Sequence, residues 1–242
     1  ILEDVGFYEL AMEAMRPLLK GAPPGARLRF WILAKKAGEY RKAADDMEIH
    51  YQKQIETRAA GLPLEFWKLV FPLPHEEEIF AAAREFGVDP LLVAAVIREE
   101  SRFDAEAVSS AGAAGLLQLM PGTARDEARR LGLRSRGLDL FDPATNIRLG
   151  TYSLGRRLER FHGNVVLALA GYNAGDQRAK RWKSELKGME QDEFIDQIPY
   201  RETRLYIKRI LTSYDHYRRT YGAECPVRGE IRIGLTEPGT PP

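Results

Sequence analysis

The sequence predicts a mostly α-helical protein. Apolar residues recur at i, i+3 and i+4 over most of the chain, which is the period of a helix packed on one side. Twice an aspartate stands directly before a proline at the start of such a run, at Asp89-Pro90 and Asp142-Pro143. That pairing puts a capping carboxylate ahead of proline at the favoured first helical position. Strand character is confined to one short stretch, residues 230–234.

Taken in order, residues 4–20 carry apolar side chains at helical spacing and stop near Gly21. "GAPPGA" at 21–26 reads as a loop, because paired prolines break helices and glycines permit tight turns. Helices are expected at 26–37 and 39–60, the second with a largely charged face. These first three resemble helical hairpins, a scaffold more than a site. "GLPLEFWKLVFPLP" at 61–74, rich in proline and aromatics, reads as a junction between two domains. A helix follows at 75–86, closed by Gly87, and another runs from Pro90 to about Glu100. Between Ser101 and Pro121 the helical period disappears and glycines accumulate, so a loop with a short ribbon or short helical turns is expected. Helices resume at 122–131, 143–161, 164–174, 177–186 and 200–221, and a Pro- and Gly-rich tail begins at 222. The resulting division is a helical region and linker at 1–72, a second domain at 73–221, and the tail at 222–242.

With 242 residues, 44% hydrophobic and 29% charged, the chain can bury a sizeable core in one or two globular domains. Its net charge of +1 supplies no global field for nucleic acid or an anionic membrane. No apolar run approaches the roughly 20 residues of a membrane-spanning helix. The single cysteine, Cys225, excludes an internal disulfide framework and fits either redox compartment. His50, His75, His162 and His216 show no paired spacing, so neither a metal nor a cofactor is expected. The chain opens on Ile1 rather than methionine and reads as a piece of a longer protein.

The stretch with most chemical content is "LLVAAVIREESRF" from Leu91 to Phe103. Each helical residue advances by about 100°. Val93, Val96, Ile97 and Glu100 therefore share one face, with Glu100 at the centre of an apolar stripe, while Glu99 falls to the solvent side with Arg98. A carboxyl in that position either turns to solvent at a frayed helix end or is buried and held protonated. Burial disfavours the charged form and raises the pKa. A carboxylic acid protonated near neutrality is what glycosidic cleavage requires of its general acid.

The following motifs decide between these readings. "Glu-Ser" at 100–101, "Gly-Leu-Leu-Gln-Leu-Met-Pro" at 115–121, "Tyr-Asn-Ala-Gly" at 172–175 and "Glu-Thr-Arg-x-Tyr" at 202–206 occur together in register. In this the chain resembles a soluble lytic transglycosylase of the lysozyme-like superfamily, from about Tyr51 to Tyr221 and most strongly over 90–215. The resemblance implies a lysozyme-like catalytic domain at 73–221, preceded by the end of a helical superstructure. It makes Glu100 the sole acid/base. Glu100 would protonate the oxygen between N-acetylmuramic acid and N-acetylglucosamine, then take the proton of the muramoyl C6 hydroxyl as that oxygen closes a 1,6-anhydro ring. The substrate's own N-acetyl oxygen would stabilise the cationic intermediate. The partner implied is the peptidoglycan glycan strand, and the location the periplasm of a Gram-negative cell.

By the same resemblance Ser109, Gln118 and Met120 contact the saccharide. Gln118 offers both a donor and an acceptor, and Met120 a soft apolar face that the spacing alone would assign to the core. Ser101 either orients the acid or caps local backbone. Gly112 and Gly115 are expected to let the backbone approach the sugar. Tyr172 is expected to hydrogen-bond the catalytic carboxyl, with an ordinary core tyrosine as the alternative. Asn173 either contacts substrate or caps its helix. Asp196 stands where many members carry glutamate, at a position associated with binding the sugar or stem peptide. Asp176 stands where proline often follows the "NAG". Tyr206, Tyr214, Tyr217 and Tyr221 read as core packing on the last helix, and the basic clusters at 129–136 and 178–183 as solvated helix faces. A goose-type lysozyme-like hydrolase and a silent peptidoglycan-binding module are the rival readings.

Overall fold

Among the described residues of the computed structural model, 6–21, 24–59 and 61–223, the regular structure is twelve α-helices and one 3-10 turn. The expected strand at 230–234 lies outside the described residues. The chain divides into two units, one of Ile1–Pro74 with Arg102–Asp104, the other of His75–Ser101 with Ala105–Pro242.

In the first unit, α1 (Tyr8–Met15) gives way to the 3-10 turn Arg16–Leu19. The helix expected to reach residue 20 stops sooner because Pro17 has no N–H to continue the ladder. Helices α2 (Pro24–Lys36) and α3 (Tyr40–Glu56) follow, packed on their neighbours in sequence through Met12, Phe30, Trp31, Leu33 and Met47. Trp31 donates its indole N–H to Asp46 at 2.6 Å, so a large buried side chain keeps its polar atom satisfied. Tyr51 leaves helical geometry within α3 (φ −124°, ψ 20°) where its ring stands edge-on to both Trp31 and Phe66, at 5.5 and 5.2 Å. The stretch read as a junction contains a helix, α4 (Leu64–Val70). Extended Pro63 serves as its cap, and burial of Phe66, Leu69 and Val70 holds seven residues too few to show a helical period.

In the second unit, α5 (Glu76–Phe86) closes at Gly87 with φ +65°, a left-handed cap that suits glycine. Helix α6 (Pro90–Ser101) begins as expected, with Asp89 accepting from the Leu91 amide at 2.8 Å. Its burial differs from the expected stripe. Leu91 through Ile97 are all at 0% exposure and Arg98 is at 3%, so the helix is enclosed on every side and Arg98 does not face solvent. Helices α5 and α12 (Arg201–Tyr221) pack against it. Helix α9 (Val165–Ala174), capped by Asn164, is buried along most of its length in the same way.

Around these lie α7 (Pro121–Arg130), α8 (Pro143–Arg160), α10 (Asp176–Glu185) and α11 (Gln191–Gln197). The Asp142 carboxylate caps α8 at the Thr145 amide, 2.9 Å away. Helix α11 has no counterpart in the sequence reading. It is a seven-residue helix held by Phe194 and Ile195. The ribbon expected between 101 and 121 is reduced to isolated bridges, Val108 with Ala114 and Ala114 with Leu119. Among the described residues no helix is long and apolar enough to cross a membrane.

Candidate active site

Burying α6 on all sides brings its last turn to the edge of the core with two glutamates attached, and their surroundings separate them. Glu99 is ion-paired with Arg209 of α12, which approaches Oε1 through Nε at 2.7 Å and Nη2 at 2.6 Å. Glu100 faces no such cation. Burial is the largest influence on its carboxyl and pushes it up from 4.5 to about 7. The Tyr206 hydroxyl donates to Oε1 at 2.6 Å and pulls the other way by stabilising the anion. The neighbouring carboxylates Glu99 and Glu202 raise it further. Near neutrality Glu100 is therefore divided between acid and carboxylate, able to give a proton and to take one back.

The hydroxyl expected from Tyr172 thus comes from Tyr206, which is buried core and carboxyl partner at once. Tyr172 donates instead to the Leu117 carbonyl at 2.9 Å. It remains close to the acid, since the Glu100 charge is the second cause, after burial, that raises the Tyr172 phenol.

Leu117 is fixed from its other side as well. Asn146 of α8, fully buried, accepts from the Leu117 amide at 2.8 Å and donates to the Ala114 and Leu140 carbonyls at 2.9 and 2.8 Å. A Cβ on Gly115, which has φ +75°, would lie 2.1 Å from the Leu140 oxygen and 2.2 Å from Asn146 Nδ2. Glycine is required there by the protein's own loop. Gly112 has open space where a Cβ would stand.

This clamp presents Gln118 and Met120. Gln118 adopts φ +44° and spends its side-chain N–H groups on the Ala107 and Gly115 carbonyls, at 3.0 and 2.8 Å. These bonds tie the loop together, and the amide oxygen is the atom left for a ligand. Met120 is 43% exposed rather than core, as a contact surface requires. Ser109 organises a turn, accepting from the Ala113 amide at 2.9 Å. Ser101 is buried and returns its hydroxyl to the Ile97 carbonyl at 3.2 Å, which caps backbone and does not orient Glu100. Asn173 accepts from the Thr203 hydroxyl at 2.6 Å, joining α9 to the first turn of α12. Asp196 is exposed and paired with Lys208.

Tyr206, expected only as core packing, and Glu202, expected only as part of its motif, are the two residues whose place beside Glu100 the sequence reading missed. Both lie in "Glu-Thr-Arg-x-Tyr", four apart and so on one face of α12. That spacing was the available signal. Among the described residues no group of three His, Cys, Asp or Glu side chains is gathered to hold a metal.

The Tyr206 contact carries its own prediction. Tyr206→Phe removes a bond to the ionised form, so the Glu100 midpoint should rise above about 7. A carbon-detected NMR titration of the Glu100 carboxyl reads this directly. A midpoint that stays put or falls shows that the hydroxyl does not hold the anion.

Residues 77–195, which span most of these groups, match the family model described as "Transglycosylase SLT domain". The chain carries an SLT transglycosylase domain. Relatives agree with this assignment. The soluble lytic murein transglycosylase of Escherichia coli K12 is 38% identical over 176 residues, which are 71% of this chain and 27% of that protein. Among solved structures, the lytic transglycosylase Slt of Pseudomonas aeruginosa, an inactive glutamate-to-glutamine mutant, is 32% identical. It aligns with a TM-score of 0.63 over 82% of this chain and 33% of its own. The 70-kDa soluble lytic transglycosylase of Escherichia coli is 25% identical, with a TM-score of 0.71 over 91% of this chain and 34% of its own. The chain thus spans at most about a third of the length of these relatives.

Proposed function

We propose that this chain cleaves peptidoglycan glycan strands without consuming water, in the periplasm, with Glu100 as acid and then base. The observation that carries the reading is the Glu100 carboxyl, held near 7 by burial and contacted by the Tyr206 hydroxyl. As the acid, Glu100 protonates the oxygen joining N-acetylmuramic acid to N-acetylglucosamine, and the bond from the muramoyl C1 to that oxygen breaks. The substrate's N-acetyl oxygen shields the cationic carbon. As the carboxylate, Glu100 then takes the C6 hydroxyl proton while O6 bonds to C1. The proton count closes, and the product is a 1,6-anhydro end. The tethered hydroxyl has the advantage over water, since well-oriented intramolecular attack is worth roughly 7–11 kcal/mol. The inactive glutamate-to-glutamine mutant of the Pseudomonas aeruginosa relative accords with chemistry that depends on one carboxyl.

Ser109, Gln118, Met120, Tyr172, Asn173 and Asp196 form the proposed binding surface. Of these, Met120 offers an exposed apolar face to a sugar ring, and Gln118 has an acceptor to offer.

One observation favours the rival hydrolase. Glu202, exposed and close enough to raise the Glu100 carboxyl, is a second carboxylate that can hold a water. Mass spectrometry of peptidoglycan digested by this chain alone separates the two. Anhydro ends, one water lighter than reducing ends, are expected. Mostly reducing ends assign Glu202 the role of water base and make the protein a hydrolase.

A further inference from the structure

Beneath Tyr172 lies a charged cluster that the proposed chemistry does not use. The guanidinium of Arg157, on α8, sits against the Tyr172 ring, 5.2 Å from its centroid. It is held on its other sides. One Nη1 donates to the Ser153 carbonyl at 2.9 Å and to the Ser153 hydroxyl at 2.6 Å. Its Nε faces Asp176 Oδ1 at 2.9 Å. Those two atoms are buried and not aligned for a hydrogen bond, so their contact is one of charge. Arg160 pairs with the other oxygen of Asp176.

The side chains of Arg157 and Asp176 are only 16% and 23% exposed, and solvent screens such a pair less than a surface one. Asp176 is also the first residue of α10, where the helix N-terminus favours a carboxylate. Room for the pair comes from Gly171, one residue before Tyr172 in α9. A Cβ there would stand 3.0 Å from Asp176 Oδ1 and 3.2 Å from the Phe161 ring. The departure from the family pattern at Asp176 thus has a partner and a place in the packing.

We propose that Arg157 and Asp176 are positioning residues for Tyr172. The ion pair holds the guanidinium over the phenol ring while the Leu117 carbonyl accepts from the hydroxyl. Held by ring and hydroxyl, the side chain keeps the Leu117–Gln118 backbone and the wall beside Glu100 in one geometry. The inference rests on the reading of Glu100 as acid/base.

The test measures kcat and KM on solubilised glycan strands. Arg157→Met keeps the length of the stem and removes the guanidinium. Because a misplaced wall beside a general acid acts on the chemical step, kcat should fall about tenfold with KM within about twofold. If Arg157 works through the phenol, the loss should vanish in a Tyr172→Phe background, since coupled residues do not add. Arg160→Met, which touches Asp176 but not Tyr172, should leave kcat within about twofold. Should Arg157→Met fail to fold, Asp176→Asn reads the same coupling with the side-chain shape kept, and a loss of about threefold that disappears with Tyr172→Phe is expected. Losses that add in the double variant, or a lowered melting temperature with kcat unchanged, overturn the proposal. An active Glu100→Gln variant overturns instead the acid/base reading on which it rests.

Discussion

Glu100→Gln should abolish turnover, by at least about 10³-fold, while the fold and saccharide binding persist. The amide has nearly the volume of the carboxyl and still accepts from the Tyr206 hydroxyl at Oε1, so packing at the end of α6 is kept. What disappears is the proton that passes to the leaving oxygen and the base that later removes one from the C6 hydroxyl. A single group serving both half-reactions leaves nothing to take over when it is lost. Glu99 supplies the internal control. Its carboxylate is ion-paired with Arg209, so Glu99→Gln should keep turnover within about fivefold. Clearing of purified cell walls, with binding to insoluble peptidoglycan measured in parallel, compares the two. Wild-type clearing by Glu100→Gln, or a loss in Glu99→Gln equally deep, means that the acid has been placed on the wrong glutamate.

The two glutamates also show how far the sequence carries. Helix starts were legible wherever a local device marks them, as at Asp89-Pro90 and Asp142-Pro143, because a cap is a contact between residues two or three apart. Helices α4 and α11 were missed since seven residues give less than two turns, and burial of Phe66, Leu69 and Val70 or of Phe194 and Ile195 stabilises them. Glu100 was singled out for a reason that is only half right. The wheel assumed one buried face, whereas α6 is buried all round and Arg98 lies inside with it. Glu100 differs from Glu99 through its partners on α12, and Tyr206 is 106 residues away in sequence. No local period can reveal such a contact. For the same reason the hydroxyl bonded to Glu100 was assigned to Tyr172, and the packing of Gly115 against Asn146 was not foreseen. Local rules placed the elements, and the pairings across the core had to be seen.

Stability should fall as the pH rises from about 4.5 to about 7 in the wild type, and Glu100→Gln should abolish that part of the fall. The sign follows from proton counts. The folded carboxyl holds its proton up to about 7, whereas the unfolded one releases it near 4.5. Between those values the native state binds more protons than the unfolded state, so stability decreases with pH. Below 4.5 both states are protonated and the contribution is fully present. Above 7 both are ionised and it has gone. At about 1.4 kcal/mol per pH unit, the interval from 4.5 to about 7 corresponds to roughly 3 kcal/mol. The amide variant, which cannot ionise, should match the wild type at pH 4 and exceed it at pH 8 by an amount approaching that figure. Urea denaturation of both proteins at the two pH values measures the difference, and subtraction removes every titration they share. An equal difference at both pH values would assign the effect to packing, and no difference at pH 8 would mean that the folded carboxyl ionises as easily as the unfolded one. The expected result ties stability to chemistry. An ionised carboxylate at the end of a buried helix weakens the fold, and the same desolvation keeps Glu100 protonated long enough to act as an acid.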